Sequence, residues 1–98
     1  MVLFTVIVQA MIDARDAIAV FTTQEKANAF INTDDMRGAI VQPCAVDGEY
    51  TSPNRTVFAA HKYMRESDVH SFIGLFSDYE KAKRAAGEKC QVLELTPL

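Results

Sequence analysis

The sequence predicts an α+β fold: a pseudo-symmetric ββαβ repeat, giving a mostly antiparallel six-stranded sheet with two helices packed on one face. Three observations carry this reading. VFTTQEKANAF (Val20 to Phe30) and LFSDYEKAKRA (Leu75 to Ala85) share the pattern Phe-[Thr/Ser]-x-x-Glu-Lys-Ala. Two strand-like apolar runs precede each stretch, and a third follows it. The chain of 98 residues fits one domain, 1–98, divisible into half-repeats of about 1–46 and 56–98 with a linker at 47–55.

The first strand is read over Phe4 to Met11, where Val, Ile and Thr favour a pleated, half-buried surface. Polar residues from Asp13 to Asp16 make a hairpin into a second run, Ala17 to Phe21. Thr22 and Glu25 then read as a capping box, the hydroxyl taking an amide three residues on and the carboxylate reaching back. The helix is expected from about Thr23 to Asn32. Gly38 leads into a third strand, Ala39 to Val46, whose Pro43 demotes it to an edge or a bulged strand. Asp47 to Arg55, with Gly, Ser, Pro and Asn, is the connector. The second half repeats the order: Thr56 to Tyr63, a polar turn from Arg65 to His70, and Ser71 to Phe76. Ser77 and Glu80 are the second capping box, Gly87 is the residue that ends the helix, and Cys90 to Leu95 is the last strand.

Composition narrows the class of function. Hydrophobic residues make up 49% and charged residues 23%, as in globular domains. The net charge of −3 argues against non-specific nucleic-acid binding, which needs a basic footprint. Cys44 and Cys90 lack metal-ligand spacing and are too few for a disulfide framework, so a reducing, cytoplasmic setting is expected. The apolar start MVLFTVIVQAMI has no basic region or cleavage site, and it is too short to span a bilayer, so no membrane association is expected.

Alternation along the strands leaves apolar residues on both faces. Ala27, Phe30 and Ile31 of the first helix, with Tyr79, Ala82, Ala85 and Ala86 of the second, cover one face. Ile7, Met11, Phe58 and Ile73 are then left on the other. Exposed apolar patches mark interfaces, so these four residues are the expected interaction face of a homodimer or of a complex with a host protein. The alternative is a sheet that curls, or a linker that covers this face.

The densest polar group surrounds the second hairpin: His61, Lys62, Tyr63, Arg65, Glu66, Asp68, His70 and Ser71. A nucleophile–base–orienter set can be composed from Ser67 or Ser71, His70 and Asp68, yet sequence neighbours seldom point together, and a solvated hairpin tip is the expected reading. His61 and His70 with Asp68 or Glu66 match no zinc spacing. Asp13 with Asp16, and Asp34 with Asp35, read as turn carboxylates. Lys81, Lys83, Arg84 and Lys89 form the basic cluster, which with Tyr79 and Tyr50 is a candidate contact for phosphate or an acidic partner. No catalytic residue, metal or cofactor is assigned. His61, Tyr63, Arg65, Asp68, His70, Lys81 and Arg84 stand as candidate ligand or partner contacts.

The second half, VFAAHKYMRESDVHSFIGLFSDYEKAKRAA, resembles small domains of unassigned function from bacterial and phage genomes. Those carry a strand, a polar hairpin and a pattern near Ile-Gly-Val-[Phe/Tyr]-Ser-Ser-x-Glu-Lys-Ala, matched here by Ile73, Gly74, Phe76, Ser77, Glu80, Lys81 and Ala82. The resemblance covers about a third of the chain and implies no activity. The resulting expectation is a non-enzymatic interaction module, of phage or mobile-element accessory or inhibitor type. The alternative is a small-molecule or nucleotide binder using the second hairpin and the basic helix.

Overall fold

A computed structural model describes residues 1–11, 14–33, 38–52 and 55–98, the side chains of residues 10 and 11 excepted. The chain folds as β1 (Val2–Met11), β2 (Ala14–Phe21), α1 (Gln24–Thr33), β3 (Ala39–Asp47), β4 (Val57–Met64), β5 (Val69–Phe76), α2 (Tyr79–Ala86) and β6 (Gln91–Leu95). The fold is α+β, with six strands in one mixed sheet of order β2-β1-β3-β5-β4-β6. Every pairing is antiparallel except β3 with β5, which meet in parallel at Val46–Leu75 and Asp47–Phe76 only.

That short parallel seam lets the sheet fold over. Its concave face closes on itself, so Leu3, Ile7, Ala17, Val20, Cys44 and Val46 of the first half meet Val57, Ala59, Phe72 and Leu75 of the second in one core. Both helices lie on the convex face. Ala27 of α1 packs over Val6 and Phe21, and Ala82 and Ala86 of α2 pack over Ala60. The alanines leave no bulk between helix and sheet, which allows close approach. A second seam forms at the opposite margin, where the Leu98 amide donates to Val20 O (3.0 Å) and the Thr22 amide donates to Leu98 O (3.1 Å).

This closure corrects the expected interaction face. Ile7 is fully buried in the shared core. Phe58 lies on the opposite, helix-bearing face, partly buried beside Ala60 and edge-on to Tyr79 with ring centroids 6.2 Å apart. Ile73 is exposed, but as a bulge residue: the β4–β5 register jumps from Ala60–Gly74 to His61–Phe72 and leaves it unpaired. The extra residue reverses alternation, so Phe72 shares the core with Leu75 instead of facing the same way as Gly74 and Phe76. The Met11 side chain, and Asp13, Asp34 and Asp35, lie outside the described residues. A matching jump in β1–β2, from Val6–Ala19 to Ile7–Ala17, leaves Ile18 unpaired.

The helix starts are also displaced by one residue from the expected capping boxes. Thr23 Oγ1 accepts from the Lys26 amide at 3.2 Å, and Asp78 Oδ1 from the Lys81 amide at 2.8 Å. The third helical residue is therefore a lysine, which cannot return the bond as Glu or Gln does. Glu25 and Glu80 remain in the positive first turns. Gly87 ends α2 at φ +83°, its amide donating to Lys83 O.

Pro43 sits in β3 with β1 and β5 on its two sides, yet locally it is an edge residue. The Val46 amide points to β1, donating to Met1 O, and amides alternate sides along a strand. The Pro43 nitrogen therefore faces away from β1, where β5 pairing has not yet begun. Tyr50 of the connector turns into the core at 5% exposure and donates its hydroxyl to Arg55 O at 2.6 Å. Burial raises its phenol above the ordinary value, and it is removed from the expected surface contacts.

Candidate interaction surface

The convex face is covered unequally. In the second half, Tyr79, three residues after Phe76, lays its ring against Phe58. In the first half the residue three after Phe21 is Gln24, which has no ring to offer. Val2, Phe4, Pro43 and Ala45 share that face: Val2 pairs with Ala45 and Phe4 with Pro43. Val2 is 49% exposed, Pro43 and Ala45 are exposed, and Phe4 is half-buried.

Phe4 also pairs with Phe21 on β2, which carries the patch to the margin of α1. There the Phe21 and Phe30 rings meet tilted at 46°, with centroids 5.3 Å apart, and, with Ala29 and Leu98, line an open cleft of about 440 Å³ whose polar members are Lys26 and Thr33. Asp47, two residues beyond Ala45 on β3 and exposed, borders the strand part of this surface and pairs with Lys81 of α2. Sequence reasoning missed it because parity alone shows Val2, Phe4 and Phe21 as ordinary inward strand residues. The available signal was the contrast between Gln24 and Tyr79 at matching positions.

The second hairpin brings together part of the expected polar group. Tyr63 donates its hydroxyl to Asp68 Oδ1 at 2.5 Å. Its ring lies 5.5 Å from that of His70 and under the Lys89 ammonium at 5.3 Å. His70 Nε2–H donates to Lys89 O at 2.8 Å. The hydrogen bond to Asp68 is the main reason the Tyr63 phenol titrates above its ordinary value. Arg65 sits at the tip, in a cleft of about 240 Å³ that it lines with Lys62, Tyr63 and Glu66.

His61 does not join them. It is fully buried, and both ring nitrogens are taken. Nε2 accepts from the Ala17 amide at 3.2 Å, so the neutral ring carries its proton on Nδ1, which donates to Ala59 O at 3.2 Å. A ring so engaged offers no lone pair to a metal and no base to a substrate. Among the described residues no three of His, Cys, Asp and Glu are arranged to hold a metal ion.

Helix α2 does not extend the hairpin cluster either. Lys81 turns to the β3 end and pairs with Asp47 at 3.5 Å. Arg84 Nε donates to Glu80 O of its own helix at 3.4 Å. Lys81 is in the first turn, whereas Lys89 follows the helix end. Of the basic cluster, Lys89 is the member that reaches the hairpin.

No family model, no curated protein and no solved structure matches this chain. Among the described residues no helix is long and apolar enough to cross a membrane.

Proposed function

We propose that the chain is a non-enzymatic protein-interaction module that self-associates through the convex face of its first half. The observation that carries this reading is the contiguous apolar surface of Val2, Phe4, Pro43 and Ala45, continuous with the Phe21–Phe30 cleft. An exposed apolar patch can meet its own copy across a two-fold axis, the commonest oligomer geometry. We read the two halves as copies of one ββαβ unit. Support comes from the paired bulges at Ile18 and Ile73 and from the matching bonds Thr22 N–H to Leu98 O and Ser77 N–H to Asp47 O. On this reading the copies diverged where Gln24 replaced an aromatic lid, freeing one face for a partner. A phage or mobile-element accessory or inhibitor role rests on the sequence resemblance alone.

Solution mass tests the proposal. The wild-type protein should elute at twice 10.9 kDa in light scattering, and the double variant Val2→Lys, Ala45→Lys at the monomer mass with unchanged circular dichroism. A wild-type monomer at high micromolar concentration, or a dimer indifferent to both lysines, refutes it. A second reading, binding of a small anion at the hairpin, is favoured by the convergence of Tyr63, His70 and Lys89. It requires a thermal shift with an anionic ligand that Lys89→Ala removes.

A further inference from the structure

We propose that His61 is an acid-sensitive clasp that holds β2 of the first half against the second half, and that protonation of its ring releases the strand. The geometry is specific. His61 stands on β4 with its ring in the shared core, against Phe72 at 5.7 Å between centroids. Its Nε2 is the acceptor for a backbone amide of β2, and that amide belongs to Ala17, the residue beside the Ile18 bulge. The bulge takes Ile18 out of the β1–β2 ladder, and Ala17 beside it, still in register with Ile7, gives its amide to the imidazole lone pair across the core.

A proton on Nε2 removes the lone pair and sets two donors face to face, Nε2–H and Ala17 N–H. The bond cannot survive in either orientation of the ring, because both imidazolium nitrogens donate and so does the backbone amide. The buried imidazolium also lacks water. The groups acting on it are unequal to this. The Ala59 carbonyl of its own strand, Asp16 of β2 and the Gln91 backbone of β6 favour the cation, and His70 of β5 repels it when charged. Desolvation outweighs them, so the folded ring holds its proton more weakly than a free imidazole.

The sign follows. The open form has the ordinary imidazole affinity, near pH 6.5, and binds a proton before the closed form does. The clasp is intact above pH 6.5 and weakens as pH falls below it, until the closed form itself protonates. Between pH 7.5 and 5.5 the opening constant should rise by up to about tenfold, the limit set by protonation of the open form alone.

The experiment is hydrogen exchange of the Ala17 amide in the intact chain, corrected for intrinsic rate, from pH 7.5 to 5.5. The expected result is a protection factor falling severalfold, up to about tenfold, at Ala17, with amides of the β1–β3 ladder changing less. His61→Gln keeps an acceptor in reach of Ala17 without a titrating group, and should give a flat profile. Should that variant fail to fold, His70→Gln serves in its place, and retention of the wild-type profile there assigns the effect to His61. An Ala17 protection factor constant over this range, or a dependence abolished by His70→Gln, overturns the proposal.

Discussion

Replacing Gly48 by alanine is expected to cost about 1–5 kcal/mol, through two separable causes. Gly48 has φ +110° and lies where β3 hands over to the connector, under the start of α2. A Cβ there would fall 2.0 Å from Ser77 Oγ and 3.0 Å from Ser77 Cβ. Rotating the serine relieves the first contact but not the second. Ser77 cannot retreat, because its amide donates to Asp47 O at 2.9 Å, closing the β3–β5 seam. The left-handed backbone costs an L-residue about 1–2 kcal/mol, and overpacking about 1–3 kcal/mol. Stiffening of the unfolded chain offsets about 0.4–1 kcal/mol. Urea unfolding of wild type, Gly48→Ala, Ser77→Gly and the double variant forms a cycle. The steric part should vanish in the Ser77→Gly background and the backbone part persist, leaving a coupling of about 1–3 kcal/mol. A Gly48→Ala midpoint within 0.5 kcal/mol of wild type, or zero coupling, would refute the reasoning.

Three further substitutions probe the same frame. Asp78→Ala should destabilise by about 1 kcal/mol, since it removes the acceptor for the Lys81 amide, while Ser77→Ala should change stability by less than about 0.5 kcal/mol; the reverse order in thermal or urea unfolding would restore the serine as the cap. Leu75→Ala empties a site only 1% exposed, at the centre of the core shared by both halves, and should cost about 2–5 kcal/mol. A loss under 1 kcal/mol would mean that the halves do not close on each other there.

The element order was legible because each signal is local. Period-two apolar runs, glycines at 38 and 87, and the repeated Phe-[Thr/Ser]-x-x-Glu-Lys-Ala bounded every strand and helix to within a few residues. The capping error shows the limit of that method. Thr22 and Thr23, or Ser77 and Asp78, are chemically equivalent candidates in sequence. The choice went to the second of each pair because the first is held by a seam, Thr22 to Leu98 and Ser77 to Asp47. The candidate site fared worse for the same reason. Ile7, Phe58 and Ile73 could not be assigned to faces without knowing that two bulges invert alternation and that the sheet folds over. Tyr63, Asp68 and His70 did converge, since they face each other across one hairpin, whereas Lys81 and Arg84 are directed by a helix that points them elsewhere.

By itself the sequence determined which segments become strands and helices, and where the chain turns, because propensity, periodicity and capping act over fewer than about ten residues. Tertiary structure decided which apolar residues are hidden. A six-stranded sheet with helices on one face has a spare apolar face that must be either exposed or closed. The two-residue parallel seam between β3 and β5 made closure possible, burying Ile7 and committing His61 to a backbone bond 44 positions away in the chain. Burial depends on what lies opposite in space, and no local pattern records that.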